Sequence, residues 1–182
     1  MLRATEEALE KLMGEPLGFL IPEVRSNLGY ALPGAADYEE IVAVPGRISQ
    51  FRDKIVACRL PAFGASRHIA RVIMAAMAHD PEMRSAMNIK YSSEILDACH
   101  AAGLGMASFE RREEPFELKQ KEGSTLEWGT QKALQGAIEF PDLVFDKGDL
   151  GKEPMIRILG RTPLEVIEKV TRVARAAGRM RP

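Results

Sequence analysis

Short apolar runs that suit strands alternate along this chain with longer segments of helical period, and four of the five helical segments open on a hydroxyl-bearing cap. That alternation restricts the fold more than any single motif. Thr5 to Met13 reads as a helix, with Leu9, Leu12 and Met13 at helical spacing and Gly14 at its end. Asn27 to Leu32, Glu40 to Val44 and Lys54 to Cys58 read as strands, punctuated by Pro33-Gly34 and Pro45-Gly46. A helix from Arg67 to about His79 leads to a short buried strand, Ala86 to Ile89. Ser92 and Ser93 cap a helix to about Ala102, stopped by Gly103, and Met106 to Phe109 is a further strand. Ser124-Thr-Leu-Glu127 fits a capping box opening a helix to about Ile138, and Leu143 to Phe145 and Met155 to Leu159 are strands. Thr162-Pro-Leu-Glu165 repeats the box with proline at the first helical position. The last helix runs to about Ala176 and turns Leu164, Ile167, Val170 and Ala174 to the core, while Lys169, Arg172, Arg175 and Arg179 suit its C-terminal half. Strands alternating with helices predict a layered α/β domain.

At 182 residues the chain is long enough to bury a core. It fits one domain over 1–182: a leading helix and connection over 1–20, a core over 21–176, and a fraying basic tail over 177–182. A formal net charge of −1 excludes a global attraction to nucleic acid or anionic membrane. Cys58 and Cys99 form no C-x-x-C pair and read as free thiols of a reducing compartment. No run approaches the roughly 18 apolar residues of a membrane span, and the first residues lack the apolar region of a signal peptide. The expected location is cytoplasmic.

The clearest chemistry lies in Pro61-Ala-Phe-Gly-Ala-Ser-Arg-His68. Gly64 and Ala65 form a loop, Ser66 an N-cap, and Arg67 and His68 the first helical turn. Helix starts carry unpartnered N–H groups at the positive end of the dipole, so they attract phosphate-like anions. Gly123 and Ser124 open a second such start, and Gly148, Gly151 and Lys152 form a third cradle in a turn. Together they point to a phosphorylated ligand. Each also has a plainer reading: Gly123-Ser124 as a helix cap, and Gly148 to Lys152 as a hairpin connection without Walker spacing. Arg47, directly after Val44-Pro-Gly, either grips phosphate with paired hydrogen bonds or caps a carboxylate on a strand edge. His68 is a surface residue or a functional one, and the adjacent anion-binding start favours function. Lys90, at a strand end, reaches a ligand or is merely exposed.

Other polar groups are less informative. Histidines 68, 79 and 100 form no metal cluster, and His79 and His100 read as helix-end caps. A divalent ion fits better as Mg²⁺ held partly by substrate phosphates, with Asp146 and Asp149 as candidate ligands and Glu113 and Glu114 behind them. Taken alone, each of these carboxylates reads as solvated or ion-paired sooner than as a metal ligand. Arg111-Arg112-Glu113-Glu114 reads as a solvated charged turn, and Ile73 to Met77 as helix core. Cys99 falls inside a helix with no base placed beside it by the sequence, so a plain helix residue is the reading preferred to a catalytic thiol. Neither a G-x-S-x-G elbow nor a dinucleotide fingerprint occurs.

Several blocks then match a known family in order: Pro22-Glu-Val-Arg-Ser-Asn-Leu-Gly-Tyr30, Val44-Pro-Gly-Arg47, Pro61 to His68, Ala86-Met-Asn-Ile-Lys-Tyr91, Glu122-Gly-Ser-Thr-Leu-Glu-Trp-Gly129 and Gly151-Lys-Glu-Pro-Met-Ile-Arg157. Over about residues 20 to 175 the chain resembles the ThiN family, the archaeal-type thiamine-phosphate synthase often fused behind a hydroxymethylpyrimidine phosphate kinase. The resemblance implies a three-layer α/β/α domain related to the class II aldolase-like fold, with a mixed, largely antiparallel sheet. It implies a reaction joining hydroxymethylpyrimidine diphosphate to hydroxyethylthiazole phosphate, giving thiamine phosphate and pyrophosphate. In the family an arginine and a histidine twenty-one positions apart are linked to activity, and Arg47 and His68 match them. The aldolase histidine cluster is missing from this chain, so no aldolase activity is implied.

The implied chemistry suits these residues. Arg47, the amides near Ser66 and Mg²⁺ would stabilise the departing diphosphate, and His68 would give it a proton or hydrogen bond. The thiazole nitrogen attacks, so no protein nucleophile is needed. Ser124 or the Gly148 to Lys152 turn would hold the thiazole phosphate, with Phe63 or Met87 as an apolar wall. The alternative is a non-catalytic thiamine phosphate-sensing domain of a thiamine regulator. Expected partners are phosphorylated small molecules, with no nucleic acid and no membrane. Self-assembly into a homo-oligomer stays open, and the pathway kinase would be a separate chain.

Overall fold

In the computed structural model of the chain, residues 1–115 and 124–179 are described. Six of the seven predicted strand runs join one sheet, together with a two-residue strand that the sequence pattern hid. The strands are β1 Leu28–Ala31, β2 Ile41–Ala43, β3 Ile48–Phe51, β4 Lys54–Ala57, β5 Ala62–Phe63, β6 Ser85–Lys90, β7 Met106–Ser108, β8 Leu143–Asp146 and β9 Met155–Gly160. The helices are α1 Leu2–Met13, α2 Arg67–Met77, α3 Ser93–Ala101, α4 Ser124–Gln135 and α5 Pro163–Ala176. Among the described residues the sheet order is β5-β2-β1-β6-β9-β8-β7.

Every pairing in that sheet is antiparallel except β7 with β8. The exception has a simple cause. A parallel pair needs a crossover long enough to return the chain to its start, and α4 lies between these two strands. The predicted strand at Lys54 to Cys58 stays outside, pairing with β3 in a separate two-stranded hairpin. β3 escaped prediction because its sequence, Ile-Ser-Gln-Phe, has two polar residues between its apolar ends and buries only Ile48 fully.

Helices cover both faces. On one, α1, α3 and α5 pack an aliphatic layer of Leu9, Leu12, Met87, Ile89, Ile156, Ile158, Val166 and Val170. On the other, α2 and α4 pack Ile69, Val72, Ile73, Leu126 and Leu134 over Ala86, Val144 and Leu159. Successive strand residues face opposite ways, so β6 sends Met87 and Ile89 into the first layer and Ala86 into the second. Met87 therefore cannot form a ligand wall on the α2 side. α2 lies close on β1: a Cβ at Gly29 would come within 2.8 Å of both Ile69 and Ile73 side chains. That contact fixes where α2 begins.

The final helix needs a correction. Leu164 is 46% exposed, while Val166, Ile167, Val170, Val173 and Ala174 are buried. Ile167, Val170 and Ala174 face the core as expected, Leu164 alone of the four does not, and Val166 and Val173 complete the stripe. Lys169, placed by the sequence among the cations of the helix's C-terminal half, is buried and bonded to Asp142, Glu165 and the Leu159 carbonyl. No helix among the described residues is long and apolar enough to cross a membrane.

Candidate active site

Two tight turns bring two arginines to one place. Arg25 N donates to Pro22 O at 2.9 Å, and Arg47 N to Val44 O at 3.3 Å. Pro45 and Gly46, with φ of +77° at the glycine, suit the second turn. Arg25 and Arg47 themselves lie at φ of +69° and +73°. A side chain in that region costs about 1–2 kcal/mol, and such strain clusters at ligand sites.

The residues that follow hold both turns in place. Ser26 and Ile48 exchange backbone hydrogen bonds of 3.0 and 2.8 Å. Behind them stand two buried amides. Asn27 Nδ2 donates to Val44 O while its Oδ1 accepts from Val44 N, both at 2.9 Å. Asn88 Oδ1 accepts from Asn27 N at 2.8 Å, and its Nδ2 donates to Arg25 O at 3.0 Å. Glu153 adds a tether at the rim, its carboxylate accepting from the Glu23 and Val24 amides at 3.0 and 3.1 Å.

Opposite these turns is the start of α2. Arg25, Asn27, Arg47, Ser66 and His68 line two adjoining hollows of about 180 and 500 Å³. Asn88 closes the smaller, and Ala65, Arg67 and Glu23 edge the larger. Ser66 Oγ caps its own helix by accepting from Ile69 N at 3.5 Å. The Arg67 and His68 amides belong to the first turn, where the helix offers no acceptor. Arg67 lies 4.7 Å over the Tyr38 ring and donates to its hydroxyl. Arg47 Nη1 donates to Val24 O.

His68 is exposed to this hollow on one side, while protein crowds the imidazole from behind. Burial first, then the charges of Arg157, Arg47, Arg111 and Arg71, lower its pKa to about 4. Near neutral pH it is uncharged, and an entering anion offsets those guanidiniums and raises it.

A polar row continues from the hollow across the sheet: Asn27, Asn88 and Arg157 stand on the adjacent strand lines of β1, β6 and β9. Arg157 is fully buried, with Nη1 at 2.8 Å from Asp146. Arg111 meets the same carboxylate through Nε at 2.5 Å and Nη2 at 3.2 Å. Burial alone would raise the Asp146 carboxyl, but Arg157 and Arg111 outweigh it and hold it below the usual carboxylate range.

The predicted residues divide accordingly. Arg47, His68, Ala65, Ser66 and Arg67 meet at the hollow, with Gly64 in the adjoining loop at φ of +68°. Lys90 does not; it lines a separate cavity of about 410 Å³ with Phe19, Ser92 and Arg179. Gly148, Gly151 and Lys152 form the tip of the β8–β9 hairpin, where Asp149 and Lys152 exchange backbone hydrogen bonds. They are not among the residues that line the hollow. A Cβ at Gly148 would lie 2.5 Å from Lys152 O, so the hairpin itself explains that glycine. Gly123 and the Ser124 side chain lie outside the described residues. Asp146 has no oxygen to spare for a metal, and exposed Asp149 caps the Leu150 amide. Glu113 pairs with Lys132, and buried Glu114 accepts from Thr125. The Arg111 to Glu114 segment is thus partly a buried anchor, not a solvated turn. No group of three metal-ligating side chains occurs among the described residues.

A family model for thiamine-phosphate synthase ThiN matches residues 4–172. The chain belongs to the ThiN family. It is 43% identical over 169 residues to the thiamine-phosphate synthase ThiN of Methanothermobacter thermautotrophicus, covering 92% of this chain and 89% of that protein. A bifunctional thiamine biosynthesis protein ThiDN of Methanocaldococcus jannaschii is 41% identical over 154 residues, 83% of this chain but 35% of the longer relative. Among solved structures, the C-terminal domain of a phosphomethylpyrimidine kinase superposes with a TM-score of 0.90 at 38% identity, covering 94% of this chain and 97% of that one. An aldolase II superfamily protein from Pseudomonas syringae shares the fold at TM-score 0.51 and 12% identity, covering 97% of this chain and 73% of that one. The ThiN membership and this likeness agree with the three-layer α/β/α architecture and its mostly antiparallel sheet.

Proposed function

We propose that this ThiN-family chain joins hydroxymethylpyrimidine diphosphate to hydroxyethylthiazole phosphate, releasing thiamine phosphate and pyrophosphate. The observation that carries this reading is the meeting of Arg47 and His68 at one cationic hollow beside the start of α2. The diphosphate docks between the Arg47 guanidinium and the first-turn amides, which face its growing charge as the pyrimidine methylene bond breaks. His68 enters this step neutral and donates an N–H hydrogen bond. Anion binding draws its pKa upward, so proton transfer to the leaving oxygen follows docking. The thiazole nitrogen supplies the electron pair. Cys99, whose thiol is pushed up to about 12 by burial, plays no part.

Mg²⁺ enters the proposal only as an ion carried on diphosphate oxygens, because Asp146 is committed to two guanidiniums and the described residues form no cage of ligands. No step is routed through it. The ThiDN relative is named as bifunctional. For this chain we propose a pathway kinase as its functional partner.

The test is direct. Purified protein with both substrates should form thiamine phosphate, and Arg47→Ala and His68→Ala should each lose about 10²–10³ in kcat/KM. Melting temperature should stay near that of the parent. Full turnover by both variants removes the assigned roles.

A further inference from the structure

Arg157 carries an unexplained charge. Its side chain is fully buried on β9, and only its Nη1 end is used: on Asp146 at 2.8 Å and, at 3.5 Å, on the Met155 carbonyl. Nε and Nη2, the edge with which a guanidinium grips an oxyanion side-on, have no partner. Burying such an edge without acceptors is costly. Asp146 cannot satisfy it, because Arg111 takes the same carboxylate through Nε and Nη2. Two guanidiniums thus share one carboxylate, leaving a surplus positive charge inside the protein. The Phe109 ring, 5.6 Å from Cζ, offsets only part of it.

The position of that edge matters. Arg157 is the cross-strand neighbour of Asn88, and Asn88 lines the smaller hollow with Arg47, Ser66 and His68. The Arg157 charge is also the largest of those acting on His68. We infer that Arg157 is a ligand-binding residue whose Nε and Nη2 receive two oxygens of a substrate phosphate entering past His68. This deepens the phosphorylated-substrate reading of the same site and rests on it. Asp146 and Arg111 then act as positioning groups: they orient the guanidinium and leave its fork open. The shared chemistry is a phosphate oxyanion, which either the diphosphate or the thiazole phosphomonoester supplies.

The experiment uses the full chain with Arg157→Met, Arg157→Lys and, as control, Arg47→Ala. Inorganic pyrophosphate and inorganic phosphate are titrated calorimetrically, and melting is followed with and without each anion. Arg157→Met leaves Asp146 and Arg111 as a one-to-one pair, so its melting temperature should match or exceed the parent's. Anion affinity should fall at least tenfold. Arg157→Lys keeps the charge but loses the fork, and should weaken binding at least fivefold; it serves as the reading should the methionine variant not fold. With both substrates, a rise in KM confined to the diphosphate or to the monoester identifies which phosphate Arg157 holds. Parental affinity for both anions in a folded Arg157 variant overturns the inference, and so does a lowered melting temperature with unchanged binding. Unchanged binding in Arg157→Met and Arg157→Lys alongside weakened binding in Arg47→Ala defeats only the role of Arg157. Unchanged binding in all three defeats the anion site itself.

Discussion

The two faces of the central sheet are built on opposite terms. Under α1, α3 and α5 the layer is aliphatic, with Leu12, Leu28, Ile156, Ile158, Val166 and Val170 fully buried. Under α2 and α4 the layer begins in the same way but ends in polar groups: Asn27, Asn88, Arg157 and Asp146, with Arg111 alongside. One face contributes hydrophobic stability, and the other spends some of it on strained arginines and a buried guanidinium edge without partners. The lesson is that a sheet with two helical coats need not have two equivalent cores. The site forms where the second coat starts, at Ser66.

Substitutions on each face sharpen this contrast. Leu12→Ala should remove the most stability, about 2–5 kcal/mol by urea unfolding, because it leaves a cavity in the dry layer. Pyrophosphate affinity per folded molecule should not change. Asn88→Ala should cost less, about 1–3 kcal/mol, by stranding the Asn27 amide and the Arg25 carbonyl. Here pyrophosphate affinity should fall as well, since Arg25 loses its support. An Asn88→Ala protein that is destabilised but binds normally would erase the distinction between the faces. The smallest effect concerns pH. The unfolded His68 takes a proton below about 6.5 and the folded one only near 4, so the unfolded chain binds more protons in between. Stability contributed by His68 is present above pH 6.5 and is lost as pH falls to about 4. His68→Gln should flatten that slope, and an NMR titration of the imidazole should show its midpoint rising when pyrophosphate is added.

Much of this was legible in the residues themselves. Hydroxyl caps at Ser66, Ser92 and Thr162 placed three helices correctly, and each accepts the expected backbone N–H. The loop from Gly64 to His68 and Arg47 were visible because turn and cap chemistry is local. What escaped notice is non-local. Arg157 sits in Met-Ile-Arg-Ile-Leu, which reads as an ordinary strand until β6 supplies Asn88 and β8 supplies Asp146. Arg25 and Asn27 lay within a quoted block, yet nothing in their spacing reveals a turn held by an amide sixty-one residues away. The same limit hid that Lys90 lines a different cavity and that Gly148 to Lys152 lie at a hairpin tip outside the lining of the hollow.

The central pairing of β6 with β9 joins segments far apart in the chain, and Asn88 and Arg157 face each other across it. Closing such a pair carries a large loop-entropy cost before any contact rewards it, which slows folding. A molecule in which that pair has not closed lacks the far wall of the hollow, whatever the state of the α2 start and the Arg47 turn. On the proposed role of Arg157, full anion affinity therefore requires this long-range closure, and ligand capture becomes a reporter of that pairing.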